Sequence, residues 1–260
     1  MIFILEIISA KLLKIIKLSA QIILENGGET YRAEETIKFI CKAYDIKEIE
    51  AIATPTGFYI TISSDGNENS TVVKRIRKRT INLQKIADVN NVSRQIALHA
   101  INLDEALEEL EKIENDKPHE YKYAQLYGGI SSAFFVVLFG GGIFEFVVAL
   151  FTGILITQIT KHFVNLHSYQ FFSSIVSGTI IAAIAIIATS AAKTGNYNQI
   201  IVGSIMPLLP GLSMTNAIRD TIRGDLISGM ARGAEALLVA ASLAAGAGVF
   251  IYFAYSLGIL

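Results

Sequence analysis

The chain has 260 residues, 52% of them hydrophobic, and a formal net charge of −1. That charge argues against nucleic-acid binding. Charge is unevenly spread: residues 1–118 hold 16 of the 22 Lys and Arg and 18 of the 23 Asp and Glu. This predicts a soluble α+β domain over residues 1–118 and an all-α transmembrane bundle over 119–260.

Met1 to Leu24 is apolar at helical spacing, with Leu5, Ile8, Leu12, Ile15, Ile16, Ile22 and Ile23 on one face and Lys11, Lys14 and Lys17 on the other. Its lysines and missing cleavage site do not fit a signal peptide, so it reads as an amphipathic helix packed on the soluble domain. A helix lying on the membrane surface is the alternative. Asn26-Gly27-Gly28 ends it. A second helix, 29–44, buries Tyr31, Ile37, Ile40, Cys41 and Tyr44, and the lone Cys41 reads as core packing. Strand patterns follow over 48–54, 58–62 and 71–73, with Thr54-Pro55-Thr56-Gly57 as a turn and Asp65-Gly66-Asn67 opening a longer connection. Helices are expected over 83–97 and 103–113, the latter capped by Asn102 or Asp104. The basic run Lys74 to Arg79 reads as a solvated face or a subunit contact, with anionic headgroups as another taker.

Five apolar spans are expected after Lys117-Pro118: 123–139, 143–160, 171–192, 200–217 and 234–257. Lys117, Lys122, Lys161, Arg219, Arg223 and Arg232 fall on one side and Lys193 on the other. This puts the N-terminal domain in the cytoplasm and the C-terminus outside, unless the fourth segment is re-entrant. Small residues (Gly229, Gly233, Ala240, Ala241, Ala244, Ala245, Gly246, Gly248) suit close helix packing and leave room for a partner membrane subunit.

The fourth span is interrupted. Pro207 and Pro210 lack an N–H, Gly211 is read as a helix stop, and a half-helix restarts at Leu212. Broken backbone in a bilayer belongs inside protein or along a cavity. The free N–H groups of the half-helix, with Ser213, Thr215, Asn216, Arg219 and Asp220, form a candidate substrate site; an ordinary packing kink is the alternative. Two further acids, Glu145 and Glu235, lie within spans and are candidates for proton coupling. Otherwise Glu145 snorkels outward and Glu235 pairs with Arg232. His162 and His167 have poor metal spacing. No hydrolase, kinase or zinc motif is present, so no enzyme, metal or cofactor is expected.

Three stretches carry a resemblance: Glu25-Asn26-Gly27-Gly28-Glu29-Thr30-Tyr31-Arg32, Ala53-Thr54-Pro55-Thr56-Gly57, and Met206-Pro207-Leu208-Leu209-Pro210-Gly211 continuing to Arg219-Asp220 and the following Gly-rich helix. The region through Asp104-Glu105-Ala106 is also similar. On these residues the chain resembles the threonine/serine exporter family, and in particular its split, two-subunit form. The resemblance implies a plasma-membrane subunit exporting threonine, serine or succinate-like carboxylates with a smaller membrane partner. A homo-oligomer is compatible with it. Carboxylate substrates agree with an anion site at a half-helix N-terminus. A membrane-anchored enzyme or a metabolite sensor acting through the soluble domain is the alternative.

Overall fold

A computed structural model describes residues 2–46, 48–63, 69–116, 123–165 and 170–259, with no side-chain description for 2–9, 69, 164 and 165. Lys117, Lys122, His167 and the Asp65-Gly66-Asn67 turn lie outside these residues, as do the side chains of Leu5 and Ile8. The fold is mostly helical with one small sheet. By contacts the chain divides into two units: Met1–Pro118 with Leu212–Gly233, and His119–Gly211 with Ala234–Leu260.

In the first unit, α1 (Ile2–Glu25) is a central element rather than an outer one. It packs against α2 (Thr30–Lys42), α3 (Leu83–Ala97) and α4 (Leu103–Asn115). Leu12, Ile15, Ile16, Ile22 and Ile23 are buried as their spacing requires, but so are Leu18, Ala20 and Leu24. From Leu18 to Leu24 every residue is buried, and a stretch of helix buried on every side has neighbours on every side. Its lysines mark where α4 lies: Lys11 pairs with Asp104 and Lys14 with Glu111, each at 2.6 Å. Asn102 starts α4 with a full capping box, accepting from the N–H groups of Asp104 and Glu105 while Glu105 reaches back to its own N–H.

The sheet is an antiparallel meander of β1 (Glu48–Thr54), β2 (Gly57–Ser63) and β3 (Asn69–Arg75). Its register pairs Ala51 with Ile60 and Ala53 with Phe58, which places these apolar side chains on the buried face. The unit is completed by α9 (Gly211–Ile222) from Leu212 onward and by the start of α10 (Leu226–Ser256).

The second unit contains α5 (Ala124–Leu138), α6 (Ile143–Asn165), α7 (Gln170–Ala192), α8 (Tyr197–Ile205), a 3-10 turn at Met206–Leu208 and the remainder of α10. Among the described residues three helices are long and apolar enough to cross a membrane: Ile143–Phe163, Gln170–Ala192 and Leu226–Ser256. A fourth is counted if Tyr197–Leu208 and Gly211–Ile222 form one broken span. The helix over the first expected span, α5, has 15 residues, short of the ~20 that a perpendicular crossing requires. Small residues do bring backbones together here: a Cβ on Gly178 would lie 2.2 Å from the Leu243 carbonyl, and one on Gly246 would lie 2.0 Å from that of Ile175. Phe134, Ile143, Phe151, Leu238 and Val249 leave large apolar surface outside the core. Such surface suits hydrocarbon rather than water, and this is a membrane protein.

Candidate polar site where α1 and α2 meet α9

α1 closes with Gly27 in the left-handed region (φ +86°), and the Gly28 N–H donates back to the Ile23 carbonyl at 2.9 Å. This is the pattern of a glycine-terminated helix, and it turns the carbonyls of Gly27 and Gly28 outward from the helix end. A Cβ on Gly28 would stand 2.4 Å from Ile23 Cγ2 and 2.8 Å from the Ile23 carbonyl oxygen. The next residue, Glu29, is the N-cap of α2 but makes no side-chain capping bond. Its carboxylate is directed to cations instead.

Four consecutive residues of this turn each meet α9 or the first turns of α10. Asn216 Nδ2 donates to the Gly27 carbonyl at 3.0 Å. Arg232 Nη2 donates to the Gly28 carbonyl at 2.7 Å. Glu29 Oε1 accepts from Arg219 Nη1, while Oε2 accepts from Arg32 Nε at 2.9 Å. The Thr30 hydroxyl lies 3.1 Å from Asp220 Oδ1 and 3.4 Å from Asp225 Oδ2. Arg232 Nε completes the set at 3.2 Å from Asp220 Oδ2. Beside it, Arg223 stacks 3.6 Å above the Tyr31 ring and reaches Glu35 at 3.1 Å. A guanidinium over an aromatic face is held by the ring quadrupole.

A cavity of about 330 Å³ opens on one side of this cluster. The face of α9 that lines it is Leu212, Thr215, Asn216 and Arg219, residues separated by three and four positions as one helical face requires. Opposite stand Gly27, Glu29, Arg32 and the α3 residues Leu83, Ile86, Ala87 and Asn90. Burial opposes the charge on Glu29, but its own backbone N–H together with Arg32 and Arg219 outweighs it, holding the carboxyl below the usual range. At Glu34, burial pushes the carboxyl up and the Ala53 N–H (2.7 Å) pulls it back, while Asp225 and Asp220 add to the rise.

The expected site residues thus separate into groups. Thr215, Asn216 and Arg219 line the cavity, whereas Asp220 is fully buried against Thr30 and Arg232. Ser213 is half-buried and does not line the cavity. Pro207, Pro210 and Gly211 belong to the other unit. Gly211 opens α9 instead of stopping a helix: Leu209, held extended before Pro210, makes the interruption. Glu145 is also in the second unit and is 7% exposed; it accepts from the Gly142 N–H and the Asn196 N–H, both at 2.9 Å. It ties the start of α6 to the α7–α8 turn instead of snorkelling outward. Glu235 is half-buried in α10. The sequence reading quoted Glu29 and Arg32 within a motif without assigning them to the site. Their adjacency to Arg219 is a contact 190 residues long, and no local pattern encodes it.

The family model described as "Putative threonine/serine exporter" matches residues 14–254. A probable threonine/serine exporter of Mycobacterium tuberculosis is 21% identical over 230 residues, covering 87% of this chain and 43% of that protein. The threonine/serine exporter of Corynebacterium glutamicum is 25% identical over 238 residues, covering 88% and 48%. A probable succinate transporter subunit of Klebsiella aerogenes, YjjP, is 24% identical over 227 residues, covering 84% of each. The chain therefore spans about half the length of the two exporters. No solved structure matches it.

Proposed function

Because the chain belongs to the threonine/serine exporter family, we propose that it is one subunit of a secondary membrane exporter for small carboxylate metabolites, either threonine- and serine-like amino acids or succinate-like dicarboxylates. The observation that carries this reading is the cavity itself. Two guanidiniums, Arg32 and Arg219, and the polar groups of Thr215 and Asn216 line a space of about 330 Å³. That volume lies at the small end of ligand pockets, and guanidinium forks suit carboxylates. The substrate carboxylate is assigned to these side chains and not to the N–H groups after Pro210, with Pro207, Pro210 and Gly211 shaping the break where α9 begins. Glu145 and Glu235 are the acids considered for proton coupling.

A second, smaller membrane subunit is part of the proposal. The chain covers about half of each exporter but 84% of a protein named as a transporter subunit. We place the complex in the plasma membrane with residues 1–118 in the cytoplasm, and we assign no catalysis to it. The test is efflux of preloaded labelled threonine, serine and succinate from cells lacking their own exporters. The cells carry this chain, a candidate partner, or both. Efflux that requires both supports the proposal, and efflux that Arg219→Gln abolishes assigns it to the cavity. No efflux of any of the three, with both proteins in the membrane, counts against it.

A further inference from the structure

The lining of this cavity is unbalanced in charge, and the inference drawn from that rests on the exporter reading above. Arg32 and Arg219 each use one nitrogen on a different oxygen of the same carboxylate, Glu29. The Glu29 side chain is 8% exposed, against 37% for Arg32 and 45% for Arg219. The carboxylate is therefore more deeply set than the two guanidiniums while still lining the cavity, and each guanidinium keeps further N–H groups beyond the one that it uses on Glu29. Every other lining residue is uncharged. At neutral pH the depressed Glu29 carboxyl is ionised, so the cavity carries one uncompensated positive charge.

We propose that Glu29 is the selectivity-determining residue of the cavity: it neutralises one of the two guanidiniums and so fits the site to a solute with one carboxylate rather than two. The incoming carboxylate takes the remaining guanidinium N–H groups. An ammonium or hydroxyl on the same solute finds acceptors in Glu29 itself and in the side-chain oxygens of Thr215 and Asn216. Asn216 has committed its amide nitrogen to the Gly27 carbonyl, which leaves its Oδ1 as an acceptor. A second carboxylate would instead meet Glu29 with no further cation to receive it. Like charges facing each other in a partly desolvated pocket discriminate strongly between solutes.

The experiment is calorimetric titration of the purified chain in detergent micelles with L-serine, L-threonine and succinate at neutral pH. The native chain is expected to bind the amino acids about tenfold or more tightly than succinate, a discounted charge interaction at a half-exposed site. Glu29→Gln frees a guanidinium and removes the ammonium's partner, so the preference should move toward succinate by about tenfold or more. Arg32→Gln, at a more exposed position, leaves Glu29 paired with Arg219 and should weaken all three solutes without changing their order. Melting curves confirm that each variant is folded. If Glu29→Gln does not fold, the native chain decides: succinate bound as tightly as serine overturns the role of Glu29. Succinate bound more tightly than serine by the native chain, or an unchanged ratio in folded Glu29→Gln, overturns the role of Glu29 and leaves the exporter reading standing. No binding of any of the three solutes overturns the carboxylate cavity and this inference with it.

Discussion

Removing the Asp220 carboxylate tests how the cluster is held. Asp220 is fully buried, and the Arg232 side chain that it faces at 3.2 Å is 9% exposed. Asp220→Ala leaves that guanidinium with the Gly28 carbonyl at 2.7 Å but without this carboxylate. Deleting one partner of a buried ion pair costs about 3–5 kcal/mol, because the other charge stays behind. The retained carbonyl bond argues for the lower end, and the lost Thr30 bond at 3.1 Å adds about 1 kcal/mol. A loss of about 3–4 kcal/mol should lower the melting temperature of the detergent-solubilised chain by roughly 6–15 °C, followed by far-UV circular dichroism. Replacing both partners by apolar residues of similar size, Asp220→Leu with Arg232→Met, should recover part of the loss, because both charge-desolvation penalties disappear while the Gly28 carbonyl and the Thr30 hydroxyl each lose a partner. A melting temperature for Asp220→Ala within about 1 °C of the native chain would place the pair among exposed bridges worth little and refute the argument. So would a double variant as unstable as the single one.

The other predictions concern local packing and titration. Gly28→Ala should destabilise by about 1–3 kcal/mol, since its Cβ would run into Ile23 at 2.4 Å; Gly211→Ala, with open space around it, should be neutral or stabilising by up to ~1 kcal/mol. Thermal melts of the two variants compare them directly. Glu29 and Glu34 should act oppositely on acid stability. The Glu29 carboxyl is lowered on folding, so its contribution is complete above its ordinary value of 4.5 and is lost as pH falls through the folded value; Glu29→Gln should flatten that acid limb. The Glu34 carboxyl is raised, so it favours the folded chain only when protonated. Glu34→Gln can keep the Ala53 N–H bond and should match or exceed the native stability at neutral pH, measured by denaturant titration from pH 3 to 7. Burial pushes the Cys41 thiol up to about 12, so a thiol reagent at neutral pH should label it only after denaturant is added.

Much of the first unit was legible because its signals are local. The period-two run Phe58-Tyr59-Ile60-Thr61-Ile62 lies inside β2, α3 spans Leu83–Ala97 as expected, and Asn102 caps α4. What failed to read was whatever depended on a distant neighbour. The buried face of α1 was visible, but not that Leu18, Ala20 and Leu24 on its other sides are covered as well. The spacing of Arg232 and Glu235 on one helix was visible, but not that the guanidinium reaches Asp220 and the Gly28 carbonyl, the latter 204 residues away. Glu145 suggested either coupling or snorkelling because only its depth in an apolar run could be read. Two N–H groups, one of them 51 residues away, set its actual place.

The same geometry links two of the stretches that carry the resemblance, far apart in sequence. Gly27, Gly28, Glu29 and Thr30 each contact a residue of α9 or of the start of α10, so neither stretch can change alone without leaving a carbonyl, a carboxylate or a guanidinium unmatched. Within that shared cluster, burial divides the contacts. Asp220 and Arg232 are closed off from solvent, and breaking such a pair is expensive, so they hold α9 and α10 to the glycine turn. Arg219 is adjacent to Asp220 in sequence but lies about 100° around the helix, half-exposed on the cavity, with N–H groups beyond those that Glu29 takes. One turn of α9 therefore carries a closed ion pair on one side and a half-exposed one on the other. A rigid pair behind a half-exposed guanidinium is the arrangement that the proposed carboxylate site requires.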